Sequence, residues 1–259
     1  MGLNGRAPAP GGVGFLGVEF SVLTASEALA WIVTAGAGDR FAYVVTPNVD
    51  HVVMLHEPGE EPWRAAYRAA VGAAALRLND SRILARLARL AGTRLPVTPG
   101  SDLTRALIAQ EAGRPDGRRW LLVGGAPAEA AWLRAALPRH DVAHCEPPMG
   151  VRDTPAAQAA IAAEVAARGA DYVLFAIGAP QSEIVAHAIA REGRARGVGL
   201  CIGASIEFLS GAKRRAPRAM QRAGLEWLYR LASEPSRLWR RYLLRGPRIF
   251  AIWWAGRRD

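Results

Sequence analysis

Short β-rich runs that alternate with helical stretches constrain this chain more than any other feature. The runs are "FAYVVT" (41–46), "AALRL" (74–78), "WLLVGG" (120–125), "DVAHC" (141–145), "DYVLFAIG" (171–178) and "VGLCIG" (198–203). Helical patterns fall near 48–57, 82–91, 101–112, 127–137, 154–168 and 181–196. Strands and helices in this order make βαβ units, so the spacing predicts an α/β fold with a mainly parallel sheet and helices on both faces. Ahead of them, "GFLGVEFSV" reads as a strand, and "TASEALAWIV" as a helix with Thr24 and Glu27 at capping-box spacing.

Composition sets how many such units fit. A chain of 259 residues, 51% hydrophobic, buries one sizeable core with a small appendage. Its formal charge is +10, and the basic side is nearly all arginine, Lys213 being the single lysine. From Gly211 onward there are 13 of the 33 basic and 3 of the 23 acidic residues, which leaves the first 210 residues balanced at 20 each. The expected organisation is therefore a mobile Gly/Pro/Ala leader (1–13), a core (14–210) and a basic appendage (211–259). Cys145 and Cys201 lack metal or redox spacing, so both thiols are expected free in a reducing compartment. With no apolar signal region and no uninterrupted apolar run of about 18 residues, the expected location is cytoplasmic, with any membrane contact peripheral.

Ligands of such sheets bind at the carboxyl ends of the strands. That rule selects the loops "TPNVD", "NDS", "GGAP", "GAPQSE" and "GASIE". Gly124, Gly178 and Gly203 open three of them and allow a ligand close to the backbone and to the next helix. Gly12, Gly14 and Gly17 satisfy G-x-G-x-x-G, but they precede the first strand, where a dinucleotide fingerprint needs a strand before it and a helix after. No H-E-x-x-H, Walker, EF-hand or D-x-D pattern appears, so neither a cofactor nor a catalytic metal is expected.

Thr46 and Asn48 flank a proline where "FAYVV" ends, and either fits a helix cap or a site residue. Asp80, at the mouth of the sheet, fits an N-cap, as does Ser81, or a general base for an attacking hydroxyl. Glu183 and Glu207 sit just inside helices, where negative charge favours the positive dipole end. His51, His56 and His187 read as structural.

The appendage is of another kind. "PSRLWRRYLLR" (235–245) reads as a helix with Ser233 as N-cap, stopped at Gly246-Pro247. At ~100° per residue Arg237, Arg240, Arg241 and Arg245 gather on one side and Leu238, Trp239, Tyr242 and Leu243 on the other, with Leu244 among the basic residues. Such a helix suits an anionic membrane surface, with "IFAIWWAG" at the headgroup level. The other reading is a helix packed on its own domain with a solvated basic face.

In order, "YVVTPNVDHVV", "NDSRILARLARLAGTRLPVTPGSDL", "LLVGGAP", "FAIGAPQSE", "GASIEFLSG" and "KRRAPRAMQRAGLEWLYRLASEPSRLWRRYL" resemble the bacterial glycosyltransferases of the WecG/TagA/CpsF family over roughly residues 14–250. The resemblance implies a Rossmann-like core, a UDP-sugar donor, inverting transfer without metal, and an acceptor sugar on a polyprenyl diphosphate. It implies catalytic roles for Thr46, Asn48 and Asp80. The substrate-binding residues it implies are Gly124, Gly178, Pro180, Gln181, Glu183, Gly203 and Glu207, with appendage arginines Arg230, Arg237 and Arg240. "NDSR" is similar to xanthan-type lipid-linked glucosyltransferases, which favours UDP-glucose as donor. Transfer of N-acetylmannosamine or its uronic acid is the alternative. Two segments depart from the family pattern: "LPVTPGSDL" is one residue short and lacks an arginine, and "GAPQSE" sets Gln181 one position early.

Single-step inverting transfer needs a base for the acceptor hydroxyl and a cation for the charge growing on UDP. With no core arginine at "LPVTPG", appendage arginines are the expected suppliers, folded over the core at the inner face of the plasma membrane. A nucleic-acid binder would account for the charge, but Trp227, Trp239, Trp253 and Trp254 interleaved with leucine suit lipid better. Nucleic acid is not expected as a partner, and homo-oligomerisation is left open.

Overall fold

The computed structural model describes residues 11–256. Residues 1–10 of the expected leader lie outside them, while Gly12 and Val13 already belong to β1 (Gly12–Phe15). This strand pairs antiparallel with β2 (Val18–Ser21). "GFLGVEFSV" is thus a hairpin and not one strand. Its turn residues Leu16 and Gly17 take φ of 49° and 72°, the left-handed pair of a type I′ turn. Gly12, Gly14 and Gly17 are hairpin residues. Thr24 then starts α1 (Ala25–Gly36), and the capping box forms: Thr24 N–H donates to Glu27 Oε2 at 2.7 Å, and Thr24 Oγ1 accepts from Glu27 N–H at 3.2 Å.

The main body continues β3 (Ala42–Val45), α2 (Val49–His56), α3 (Pro62–Ala73), β4 (Leu76–Arg77), α4 (Arg82–Leu90), α5 (Gly100–Ala112), β5 (Arg119–Gly124), α6 (Pro127–Ala136) and β6 (Asp141–Cys145). It closes with α7 (Pro155–Arg168), β7 (Tyr172–Ala176), α8 (Gln181–Glu192), β8 (Val198–Cys201) and α9 (Ser205–Leu209). β3 to β8 form a six-stranded, wholly parallel sheet in the order β4-β3-β8-β7-β5-β6. The α/β expectation holds, and the fold is Rossmann-like. α3 was not expected; its buried side chains are Tyr67, Ala70 and Val71.

Alternation along the strands splits the core into two layers. Val44, Trp120, Leu122, Leu174 and Leu200 face α1, α5 and α6, whereas Tyr43, Val45, Leu121, Val123, Val173 and Phe175 face α7 and α8. A third cluster lies beside the sheet, where Phe15 and Phe20 of the hairpin meet Val52, Tyr67, Leu84 and Ile249. Cys145 and Cys201 are free.

The appendage folds as α10 (Arg218–Ala223), α11 (Glu226–Ser233), α12 (Pro235–Trp239), a π-helical segment at Arg240–Arg245, and α13 (Arg248–Ala255). Ser233 is not the expected N-cap. It ends α11 with its hydroxyl donating to Tyr229 O at 2.9 Å, and Glu234 holds the cap position of α12. Gly246 and Pro247 do not stop the helical path, because both keep right-handed helical backbone angles and α13 comes at once after them. The π segment, in which Gly246 N–H reaches Arg241 O at 2.8 Å, widens the turn and rotates the later residues away from a 100° projection.

The basic side of the helix is divided, with Arg237 and Arg240 exposed and Arg241 and Arg245 facing the protein. Arg241 and Arg245 turn inward to Asp50 at 3.1 and 3.4 Å, and Arg245 and Arg248 reach Glu57 at 3.1 and 3.4 Å. Leu238 is buried, but Trp239, Leu243 and Leu244 are exposed. Ile249 is 1% exposed in the third cluster, and Trp253 donates its indole N–H to Leu87 O at 3.1 Å. The "IFAIWWAG" run therefore packs one side on its own domain and leaves Phe250 and Trp254 outside. Among the described residues no helix is long and apolar enough to cross a membrane.

Candidate active site

The site grows from the loop after β4. Asn79, buried, holds the loop by donating its amide to Pro96 O at 3.2 Å and accepting Ser81 N–H on Oδ1 at 2.8 Å. Ser81 Oγ accepts Leu84 N–H at 3.2 Å and so caps α4. That settles a choice the sequence left open: the cap belongs to Ser81, and the Asp80 carboxylate is released from it. Asp80 Oδ1 instead accepts the backbone N–H of Gly100, the first residue of α5, at 3.2 Å. A Cβ on Gly100 would meet Thr46 Oγ1 at 3.0 Å, so the absence of a side chain lets β3, the β4 loop and α5 converge.

Asp80 is partly buried, and its carboxyl is pushed up to about 7. Burial is the main cause and the Glu226 carboxylate adds to it; the Gly100 N–H, His51 and Arg230 act in the opposite direction. Glu226 and Arg230 belong to α11. A carboxyl poised near neutrality suits proton abstraction from a hydroxyl.

Asn48 is the N-cap of α2, its Oδ1 accepting Asp50 N–H at 3.0 Å and His51 N–H at 3.5 Å. Thr46 Oγ1 donates to Cys201 O at 3.5 Å, linking β3 to β8. His51 accepts Asn48 N–H on Nδ1 at 3.3 Å, which leaves Nε2 to face Glu183 Oε1 at 3.4 Å. Sequence reading gave His51 no role, and no local pattern marks this pair, since its members lie 132 positions apart and meet only when α2 and α8 pack.

The expected substrate residues divide. The connections leaving β5 and β7 run in opposite directions across the sheet, which opens a crevice between their carboxyl ends. Gly124 and Gly178 flank it with φ of 80° and 74°. Gly124 is packed against Ile177 and the Ala176 backbone, whereas Gly178 and Gly203 border open space. Pro180 follows a cis peptide bond and precedes α8, whose first residue, Gln181, has a buried Oε1 with no partner among the described residues. Glu207 pairs with Lys213 at 2.8 Å, and Lys213 also reaches Glu234 at 3.4 Å, tying α9 to the appendage.

Of the carried-over arginines, Arg230 lies over the Phe208 ring at 5.0 Å, on the Asp80 side. Arg237 pairs with Glu234 at 2.6 Å and Arg240 stacks over Trp239 at 5.3 Å, both exposed. Thr98, in the segment that lacks the family arginine, is buried and donates its N–H to Asn79 O at 2.8 Å. The guanidinium placed near Asp80 without having been singled out is Arg215, ion-paired with Asp102 and within electrostatic reach of Asp80 and Glu226. Among the described residues no group of three or more His, Cys, Asp or Glu side chains is placed to hold a metal ion.

The sheet, the Gly loops at its carboxyl end, the released Asp80 and an arginine-rich appendage over it fit a sugar-transfer site. A model of the glycosyl transferase WecG/TagA/CpsF family matches residues 13–259, nearly the whole chain including the appendage. The chain thus belongs to the WecG/TagA/CpsF glycosyl transferase family.

Proposed function

We propose that this glycosyltransferase moves a hexose from a UDP-sugar, UDP-glucose first, to a sugar carried on a polyprenyl diphosphate, in exopolysaccharide or cell-surface glycan synthesis at the inner face of the plasma membrane. The observation that carries the chemistry is Asp80, excused from capping by Ser81 and pushed up to about 7 at the mouth of the sheet. Its carboxylate takes the proton of the acceptor hydroxyl as the oxygen attacks the anomeric carbon. The bond from that carbon to the UDP oxygen breaks on the opposite face, UDP leaves with the electron pair, and the anomeric configuration inverts.

Thr46 and Asn48 border this point from β3 and the start of α2. Gly178, Gly203 and the unpartnered Gln181 Oε1 offer the nucleotide sugar a close backbone and a polar contact at the strand ends. Arg230 and Arg215 supply positive charge beside Asp80.

Membrane contact has its own support. Of ten exposed large apolar side chains among the described residues, seven lie in the appendage, where the core alone would leave no reason for them. Trp239, Leu243, Leu244, Phe250 and Trp254 would enter the headgroup region, with exposed Arg237 and Arg240 beside anionic lipid. The test is a donor screen of UDP-glucose, UDP-N-acetylmannosamine and its uronic acid against a short-chain prenyl-diphosphate sugar. Inverted glucoside product from UDP-glucose is expected; turnover from none of the three overturns the reading.

A further inference from the structure

A cavity of about 440 Å³ opens beside Asp80 where the starts of α4 and α5 meet the appendage. Its lining is Arg82, Asp102, Arg105, Arg215, Gln221 and Arg222, so four arginines against one aspartate leave a formal +3. Arg215 is committed to Asp102. Arg82, Arg105 and Arg222 have no ion-pair partner among the described residues. Three uncompensated guanidinium groups converging on one concavity repel one another unless an anion joins them. The wall is a tertiary construction, since Arg86 of α4 donates to Ala223 O at 3.0 Å and ties α10 to α4, while Gln221 holds the start of α10 locally by donating to Ala216 O at 2.6 Å.

A second cavity of about 550 Å³ adjoins the first and shares Arg82 and Arg222 with it. Ala85, Leu95 and Val97 contribute apolar wall there, alongside Arg86, Arg89 and Arg94. Together the two match a ligand with a doubly charged head and an apolar continuation. A nucleoside diphosphate has no such continuation.

We infer that the cleft of Arg82, Arg105, Arg215 and Arg222 binds the diphosphate of the lipid-linked acceptor, with the first part of the prenyl chain leaving along Leu95 and Val97. This rests on the acceptor class proposed above, and it assigns that diphosphate to core and α10 arginines and not to Arg237 and Arg240. Guanidinium groups grip the phosphate oxygens bidentately and hold the attacking sugar next to Asp80.

Calorimetric titration of the full chain with farnesyl diphosphate, inorganic pyrophosphate and UDP tests the assignment without requiring turnover. Wild type is expected to bind farnesyl diphosphate more tightly than pyrophosphate. In Arg82→Ala/Arg222→Ala, whose side chains are exposed, farnesyl diphosphate affinity is expected to drop about tenfold to a hundredfold, with UDP affinity unchanged. The Lys double variant is expected to recover part of the loss. Unchanged farnesyl diphosphate affinity, or no binding by wild type, overturns the site. Equal loss of UDP affinity overturns its assignment to the acceptor. Binding as expected together with no transfer from any UDP-sugar leaves the diphosphate site standing and removes the proposed reaction instead.

Discussion

Gly100 donates its backbone N–H to Asp80 Oδ1 at 3.2 Å, and this bond fastens the carboxylate to the start of α5. The bond favours the charged form, but burial outweighs it and carries the carboxyl up to about 7. kcat/KM for sugar transfer is therefore expected to rise about tenfold per pH unit below about 7 and to level off above it. Asp80→Asn, which keeps an acceptor for Gly100, is expected to fold and to lose about a hundredfold to ten-thousandfold in rate. Initial rates over the neutral range decide this; a flat profile in wild type would move Asp80 out of the base role.

The same residue ties stability to pH with a definite sign. An unfolded aspartate titrates near 3.8 and folded Asp80 near about 7, so between these values the native state binds more protons. Stability contributed by this group is thus expected to fall as pH rises across that window, and Asp80→Asn to remove the slope. Urea unfolding of both proteins at either end of the window measures it.

Ser81→Ala takes away the α4 cap while leaving the Asn79 bond to the Ser81 N–H in place. The expected cost is about 1 kcal/mol of stability, with kcat of the folded protein retained. A collapse of kcat without loss of stability would show that Ser81 acts in chemistry.

Asp50 in the first turn of α2 and Glu57 at its C-cap receive Arg241, Arg245 and Arg248. Each pair contributes on the order of 1 kcal/mol. Asp50→Asn/Glu57→Gln is expected to raise the rate of tryptic cleavage at Arg241 and Arg245 roughly tenfold. Wild type in about 1 M salt is expected to shift the same way, because the screening length there is about 3 Å. Cleavage no faster in the variant would mean that α13 alone holds the appendage down.

Leu243 and Leu244 are exposed, whereas Ile249 is buried. Leu243→Asp/Leu244→Asp is expected to leave the melting temperature nearly unchanged and to lower flotation with phosphatidylglycerol vesicles by more than tenfold, at about 1.5–3 kcal/mol per side chain. Ile249→Ala is expected to do the reverse, costing about 2–5 kcal/mol of stability. Equal flotation of the Leu variant and wild type would locate the lipid contact elsewhere.

The parallel sheet was legible because each of its six strands announces itself within about ten residues, whereas α3 did not. Thr24 and Glu27 could be read as a capping box for the same reason, and Ser81 and Asn48 as cap candidates. Neighbouring residues could not say which of Asp80 and Ser81 did the capping, since only the α5 amide of Gly100, 20 positions on, resolves it. The seating of the appendage was not legible either. A projection of residues 235–245 assumes an unbroken α-helix, and the π segment breaks that assumption. The inward turn of its arginines depends on acids 195 positions away in Asp50's case. The seven-residue spacing of Asp50 and Glu57, matched by the four- and three-residue steps of Arg241, Arg245 and Arg248, was the available signal.

Phe15 and Ile249 share one apolar cluster, although they lie near opposite ends of the described chain. During synthesis the hairpin, α2, α3 and α4 emerge first, and Leu95 leaves the ribosome 154 residues ahead of Ile249. At about 5–20 residues per second this cluster waits roughly 10–30 s with a gap where α13 will sit. The sheet layers, complete by β8, close before it does. The nascent chain is thus open on one flank until α13 emerges, and the helix that seals that flank also carries Phe250 and Trp254 to the surface.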